Sequence, residues 1–229
     1  MKKYKVIYFG TWGYGKAGLA GLLHCSNVEI VSVFTKWNPD QPDIYMDQVK
    51  NLAEEHGVPV QNTLKSICSK SLFEEKVLAH KNVDFIISCC FDRIFTSQVL
   101  ALPRIKALNI HPSLLPKYRG IKPLENAMVN GDTETGISLH ELTPTLDAGD
   151  IVLQKAEILI TPYKNYQMLY DEQCHNIRQQ LRVFFEAPLQ YLKNAIPQSE
   201  NQVSWAPRLS FEIKNWMNSK LISLFDLAA

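Results

Sequence analysis

Apolar residues along the chain alternate between two spacings, short continuous runs and a three-to-four-residue repeat, and the alternation sets out the elements in order. Val6 to Phe9 is an apolar run ended by Gly10-Thr11-Trp12-Gly13-Tyr14-Gly15, after which Leu19, Leu22 and Leu23 recur at helical spacing. This predicts a strand, a glycine-rich turn and a helix. Glu29 to Thr35 is a second strand, and Lys36 to Asp43, with Asn38-Pro39-Asp40-Gln41-Pro42, is a polar loop. Tyr45, Val49, Leu52 and Ala53 place a helix over Ile44 to His56, stopped by Gly57. Val58-Pro59-Val60 is an edge segment, Ser71 to His80 a helix, and Val83 to Cys89 a strand whose nearly continuous apolarity means burial on both faces. Ala107 to Ile110 is a strand stopped at Pro112, and a helix follows near Pro123 to Asn130.

Two more strands, Thr135 to Leu142 and Asp150 to Ile160, precede the longest helical pattern, Asn165 to Ala187, with Tyr166, Leu169, Tyr170, Cys174, Ile177, Leu181 and Phe184 in one stripe. The order βαβαβαβ predicts an α/β, Rossmann-like fold: a mostly parallel twisted sheet with helices on both faces. Residues 1–195 are expected to form its one full domain. Residues 196–229 form a short C-terminal extension, too small for its own core, that docks on the main body or on a partner subunit, making a homodimer through the tail.

Composition narrows the class. The chain has 229 residues, 46% hydrophobic and 21% charged, with a net charge of +1, which describes a globular protein with no basic excess for a long phosphate backbone. Five cysteines with no Cys-x-x-Cys indicate neither a disulfide framework nor a zinc knuckle, and fit a reducing cytoplasm. The apolar run after the basic start stops at Gly10, too early for a membrane span. No metal is expected. His175 reads as a solvated helix residue, and a hydrolase built on His111, Asp147 and Asp150 would lack a second histidine at ligand spacing.

Three stretches carry chemistry. Gly10 to Gly15 aims backbone N–H groups over a strand end, as an anion cradle does. Its match to the dinucleotide pattern at Gly13, Gly15 and Gly18 comes late, and the next strand ends without an acidic residue for a ribose. Asn109 and His111 share one face of their strand and leave its end together, an amide donor beside a ring that titrates near neutrality. That pair suits negative charge growing on a carbonyl oxygen. Asp147 lies in the loop joining the last two strands, where an exposed turn aspartate is the plain alternative.

Asn109-Ile110-His111-Pro112-Ser113-Leu114-Leu115-Pro116-Lys117-Tyr118-Arg119-Gly120, then Thr135-Gly136-Ile137-Ser138-Leu139-His140 and Leu146-Asp147-Ala148-Gly149-Asp150-Ile151-Val152, resemble the 10-formyltetrahydrofolate-dependent formyltransferases over about Val6 to Ile160. The resemblance implies Asn109, His111 and Asp147 as the catalytic trio, with His111 as a protonated donor. It implies 10-formyltetrahydrofolate as co-substrate, with Arg93, Ile94, Phe95, Ile121, Thr143, Pro144, Thr145 and Leu146 in its binding loops. Gly10, Thr11, Trp12, Gly13, Tyr118 and Arg119 fall to the acceptor. Among relatives the chain looks most like the sugar-nucleotide N-formyltransferases, which implies a small-molecule amine, a nucleotide-linked amino sugar for a surface polysaccharide, as substrate. Methionyl-tRNA or glycinamide ribonucleotide as acceptor, and a non-catalytic folate-binding module, are the alternatives.

Overall fold

The computed structural model describes residues 3–207. Seven strands form one sheet in the order β3-β2-β1-β4-β5-β7-β8. β1 (Tyr4–Gly10), β2 (Val28–Thr35), β3 (Val60–Asn62), β4 (Phe85–Cys89) and β5 (Lys106–His111) run parallel, as the alternating order of strands and helices predicts. β7 (Glu134–Glu141) then pairs antiparallel with β5, and β8 (Ile151–Leu159) antiparallel with β7. A separate two-residue pairing joins β6 (Arg119–Gly120) to β9 (Trp205–Ala206).

Alternate residues of β1 feed opposite cores, which is why its run reads as apolar throughout. Val6 and Tyr8 pack under α1 (Trp12–Leu23), α2 (Gln48–Glu55) and α6 (Tyr166–Glu186), with Leu19, Leu22, Ile177, Leu181 and Phe184. Ile7 and Phe9 face the other way, against Phe73 and Val77 of α3 (Lys70–Leu78) and Val99 of α4 (Ser97–Leu100). Each fully buried side chain of this size contributes roughly 1.5–3 kcal/mol relative to exposure. Helices α5 (Pro123–Val129) and α7 (Pro188–Lys193) complete the set.

Several boundaries move for local reasons. α2 starts at Gln48 rather than Ile44, because the Asp43 carboxylate accepts the Tyr45 and Met46 N–H groups at 2.7 and 2.9 Å and holds those residues in a turn. The edge strand falls on Val60 to Asn62 since Pro59 has no N–H for a ladder; its carbonyl accepts from Val33. β4 starts at Phe85 because the Asp84 carboxylate accepts the Lys5 N–H and pairs with Arg104 at 2.7 Å. α6 keeps its expected span, capped by the Asn165 side chain on the Met168 N–H. The segment after α7 runs back over the sheet edge, where Ile196 bridges Ile151, and reaches β9. Residues 208–229 of the expected docking extension lie outside the described residues.

Candidate active site

The strand order reverses between β1 and β4, which are neighbours but connect outward to opposite sides. Crevices outside the carboxyl ends of strands at such a point are where open α/β sheets hold ligands. A cleft of about 720 Å³ opens there, lined by Trp12 and Tyr14 after β1, Cys90 to Asp92 after β4, and Asn109 to Pro112 at the end of β5. Gly120 to Glu125, Leu146, Asp147, Tyr166 and Tyr170 close it.

Two chain segments bring the trio together. Asn109 and His111 are two apart on β5, so one pleat face presents both. Asp147 arrives on the β7–β8 connection, where its Oδ2 lies 3.6 Å from His111 Nδ1 and accepts the Gly120 N–H at 2.9 Å. That connection closes tightly on β7: a Cβ on Gly149 would collide with the Glu141 carbonyl, so only glycine fits two residues past Asp147.

Hydrogen bonding fixes the ring tautomers. His111 Nε2 lies 2.8 Å from the Tyr118 carbonyl, which can only accept, so Nε2 carries the proton and Nδ1 is left facing Asp147. Burial pushes the His111 pKa down and outweighs the upward pull of Asp147, so the ring rests neutral. This corrects the expectation of a protonated His111. Burial also pushes against the charge on Asp147, but the His111 and His140 rings and the Gly120 N–H together hold its carboxyl down at about 2. It is ionised at every physiological pH.

His140 is the group sequence reasoning passed over. It sits opposite Asn109 in the β5–β7 register, beside an irregularity in the β7–β8 ladder at Leu139/His140. His140 Nδ1 donates to the Glu141 carbonyl at 2.9 Å, so Nε2 is free to accept Asn109 Nδ2–H at 3.1 Å. Nε2 also lies 3.6 Å from Asp147 Oδ1. The amide of Asn109 is thereby oriented, with its second N–H still available. Alternation along β7 puts His140 with Ser138 on the face opposite Ile137 and Leu139, where it reads as a solvent-side residue; only burial of both faces and antiparallel pairing with β5 bring it to Asn109.

The other expected site residues divide. Trp12, Ile121 and Leu146 line the cleft and are 44%, 51% and 56% exposed. Thr11 donates its hydroxyl to the Cys90 carbonyl, tying the glycine-rich turn to the end of β4. Gly10 ends β1, and Gly13 lies under the Tyr170 hydroxyl, which a Cβ there would strike. The Arg93 guanidinium instead binds the carbonyls of Thr63 and Cys68 at 2.7 and 2.6 Å and lies over the Phe73 ring. Ile94 points to solvent, and Phe95 packs in the aromatic core against Phe9. Thr143, Pro144 and Thr145 stand outside the cleft lining, with the Thr143 hydroxyl donating to the Thr145 carbonyl. Tyr118 supplies its carbonyl to His111 while its hydroxyl accepts from Asn130, and Arg119 is buried against Gln198 and Glu200. Neither of these last two side chains lines the cleft, contrary to the acceptor-binding expectation.

Backbone strain concentrates in the same place. Of seven non-glycine residues with positive φ among the described residues, Trp12, Cys90, Lys122 and Asp147 line the cleft and Tyr118 holds His111. Such conformations cost about 1–3 kcal/mol each and persist where surrounding structure enforces them. Among the described residues no group of His, Cys, Asp and Glu could hold a metal ion, and no helix is long and apolar enough to cross a membrane.

An α/β sheet with an oriented amide donor, a neutral ring and an ionised carboxylate at its switch point is equipped for chemistry at a carbonyl carbon. The profile of the family described as Formyl transferase matches residues 6–181, and the chain belongs to that family. It is a formyl-transferring enzyme. The methionyl-tRNA formyltransferase of Mesoplasma florum is 32% identical over 222 residues, 94% of this chain and 69% of that protein. In fold it is similar to phosphoribosylglycinamide formyltransferase from Bacillus halodurans, with TM-score 0.66 and 21% identity over 80% of this chain and 96% of the other. An N-formyltransferase from Helicobacter canadensis, solved with folinic acid and dTDP-3-aminofucose, gives TM-score 0.66 and 20% identity over 90% of this chain and 71% of the other.

Proposed function

We propose that this chain moves the formyl group of 10-formyltetrahydrofolate onto the primary amine of a nucleotide-linked amino sugar. The observation that carries the reaction is the convergence of Asn109, His111 and Asp147 from two segments at the floor of one cleft. The donor's flat pterin suits the apolar side formed by Phe91, Ile110, Ile121 and Leu146. The amine attacks the formyl carbon, and the carbonyl electrons move to oxygen, where the second Asn109 N–H stabilises the charge. The proton lost by the nitrogen passes to His111 Nδ1, and Asp147 stabilises the imidazolium so formed. Breaking the bond from carbon to the folate nitrogen returns that proton to the leaving nitrogen.

The acceptor side supports a sugar. Trp12, Tyr14, Tyr166 and Tyr170 give aromatic faces, and Lys36 Nζ sits 5.2 Å from the centre of the Trp12 ring. An exposed, strained Trp12 at the rim is a stacking platform for a base. Lys36 pairs with Asp92 at 2.6 Å and Lys122 with Glu125 at 3.3 Å, so the cleft offers no cluster of unpaired cations for a polynucleotide. A second reading, methionyl-tRNA as acceptor, is favoured by the 32% identity to enzymes of that name.

The two separate by experiment. The protein is incubated with 10-formyltetrahydrofolate and either nucleotide-linked amino sugars or charged initiator tRNA, and products are weighed by mass spectrometry. Formylated sugar nucleotide without formylated aminoacyl-tRNA is the expected result. The reverse outcome replaces this reading by the second, and folate binding with no transfer to any amine replaces both by a binding module.

A further inference from the structure

The segment after α7 reaches back to the active site through one side chain. Gln198 Nε2 donates to the carbonyl of Asp147 at 2.9 Å and to that of Gly149 at 2.7 Å. Its Oε1 accepts from Arg119 Nε at 3.1 Å and Nη2 at 2.9 Å. Both ends of the amide are therefore engaged, and its orientation is fixed by donors on one side and acceptors on the other. Arg119 is 3% exposed, held further by Glu200 at 3.0 Å and, through its own backbone, by β9. The next residue, Gly120, gives its N–H to the Asp147 carboxylate. Asp147 thus sits between two supports that meet at Gln198, one on its main chain and one on its side chain.

This support has a reason to exist. Asp147 holds φ at 49°, a conformation a non-glycine residue adopts only when its surroundings impose it. Its carboxylate stands 3.6 Å from both His111 and His140, so a small displacement of the loop changes its distance to each ring. We propose that Gln198 is a positioning residue that sets Asp147 against His111, making the segment beyond the sheet a working part of the active site rather than a tether. The inference rests on the reading of Asp147 as an active participant in formyl transfer.

Gln198→Glu tests it selectively. The carboxylate still accepts from Arg119, and more strongly as a charge pair, so the anchorage of the segment survives. It has no hydrogen to give the Asp147 and Gly149 carbonyls, so the hold on the loop is lost. The expected result is a thermal midpoint close to wild type, a fall in kcat of about ten- to a hundredfold, and KM values for donor and acceptor within about twofold, as for a misplaced catalytic group. Gln198→Ala, which removes both halves, should add a loss of thermal stability to the same fall. Wild-type kcat in Gln198→Glu overturns the proposal, and so does a fall matched by KM or by the unfolded fraction.

A second readout does not depend on turnover. The His111 ring faces Asp147, His140 and the Tyr118 carbonyl, and its nitrogen resonances report the position of the carboxylate. Its titration by NMR should shift to lower pH in Gln198→Glu as Asp147 moves away, and an unmoved titration rejects the positioning role. Absence of transfer by the wild-type protein would count against the proposed reaction, while the titration would still decide this point.

Discussion

The sheet has two halves that bury their residues in opposite ways. From β1 to β5 the interior is mainly apolar, with Ser32, Thr35, Asp84 and Ser88 among its buried polar exceptions: all five residues of β4 are buried, and Phe9, Phe34, Phe73, Phe91 and Phe95 form a continuous aromatic cluster. From β5 to β8 the interior is polar at its centre. Here His111, Ser138, His140, Gln173 and Gln180 are buried, the β7–β8 ladder is irregular at two places, and buried amides are threaded between carbonyls. Gln173 Nε2 reaches the Pro112 carbonyl at 3.1 Å while its Oε1 accepts the Tyr14 hydroxyl, joining the loop after His111 to the glycine-rich turn. Apolar packing tolerates neighbours of about the right shape, whereas each buried polar group requires a specific partner. The first half is a platform, and the second is an instrument whose parts must be aligned.

The largest effect should come from breaking the platform. Phe34 is fully buried, stacked on Phe9 at 4.8 Å and edge-on to Phe73 at 6.0 Å, away from the cleft lining. Phe34→Ala should cost about 3–5 kcal/mol, read as a fall in the urea midpoint. Turnover per folded molecule should be unchanged. A matching fall in turnover would show that the two halves are not separable in this way.

The reverse experiment removes chemistry and leaves the platform. His111→Ala and Asp147→Asn should each lower turnover about a hundredfold or more, with donor binding retained. Asp147→Asn also swaps an ionised acceptor for an amide beside two rings, so it tests charge rather than volume. Near-normal turnover in either variant would remove that residue from the proposed mechanism.

The same contrast explains what the sequence disclosed. Val6 to Phe9 and Val83 to Cys89 announce a doubly covered parallel sheet because nothing but burial on both faces tolerates such runs. Asn109 and His111 could be paired from their spacing alone. His140, Arg119 and Gln198 could not, since each acquires its partner only through register or through a return of the chain across the sheet edge. Arg119 beside the motif reads as a ligand contact, yet its charge is satisfied inside by Gln198 and Glu200. Arg93 is similar: three carbonyls from the two ends of the β3–α3 connection, those of Thr63, Cys68 and Ser69, collect its donors. Polar side chains in a motif disclose chemistry, but which of them face the cleft is decided by tertiary pairing.

The smallest effect is the sharpest test of the polar half, because it isolates one proton. Burial lowers the folded-state pKa of His111 below the ordinary value of 6.5, so the unfolded chain binds this proton more readily than the folded one. The neutral ring therefore contributes its full share to stability above about pH 6.5, and that share is lost progressively as pH falls through 6.5 towards the lower folded value. Asp147, held at about 2, adds a constant share of stability over this range and no pH dependence, because it stays ionised in both states until pH approaches 4. The quantity to measure is a difference between proteins, so that every other group cancels. Urea midpoints of wild type and His111→Asn, compared between pH 7.5 and pH 5, should show the wild type losing more stability on acidification. Parallel curves would mean that folding leaves the His111 pKa at its ordinary value, and a wild type that gains stability on acidification would mean that the ring is already charged at neutral pH and enters the reaction as a donor rather than as a base.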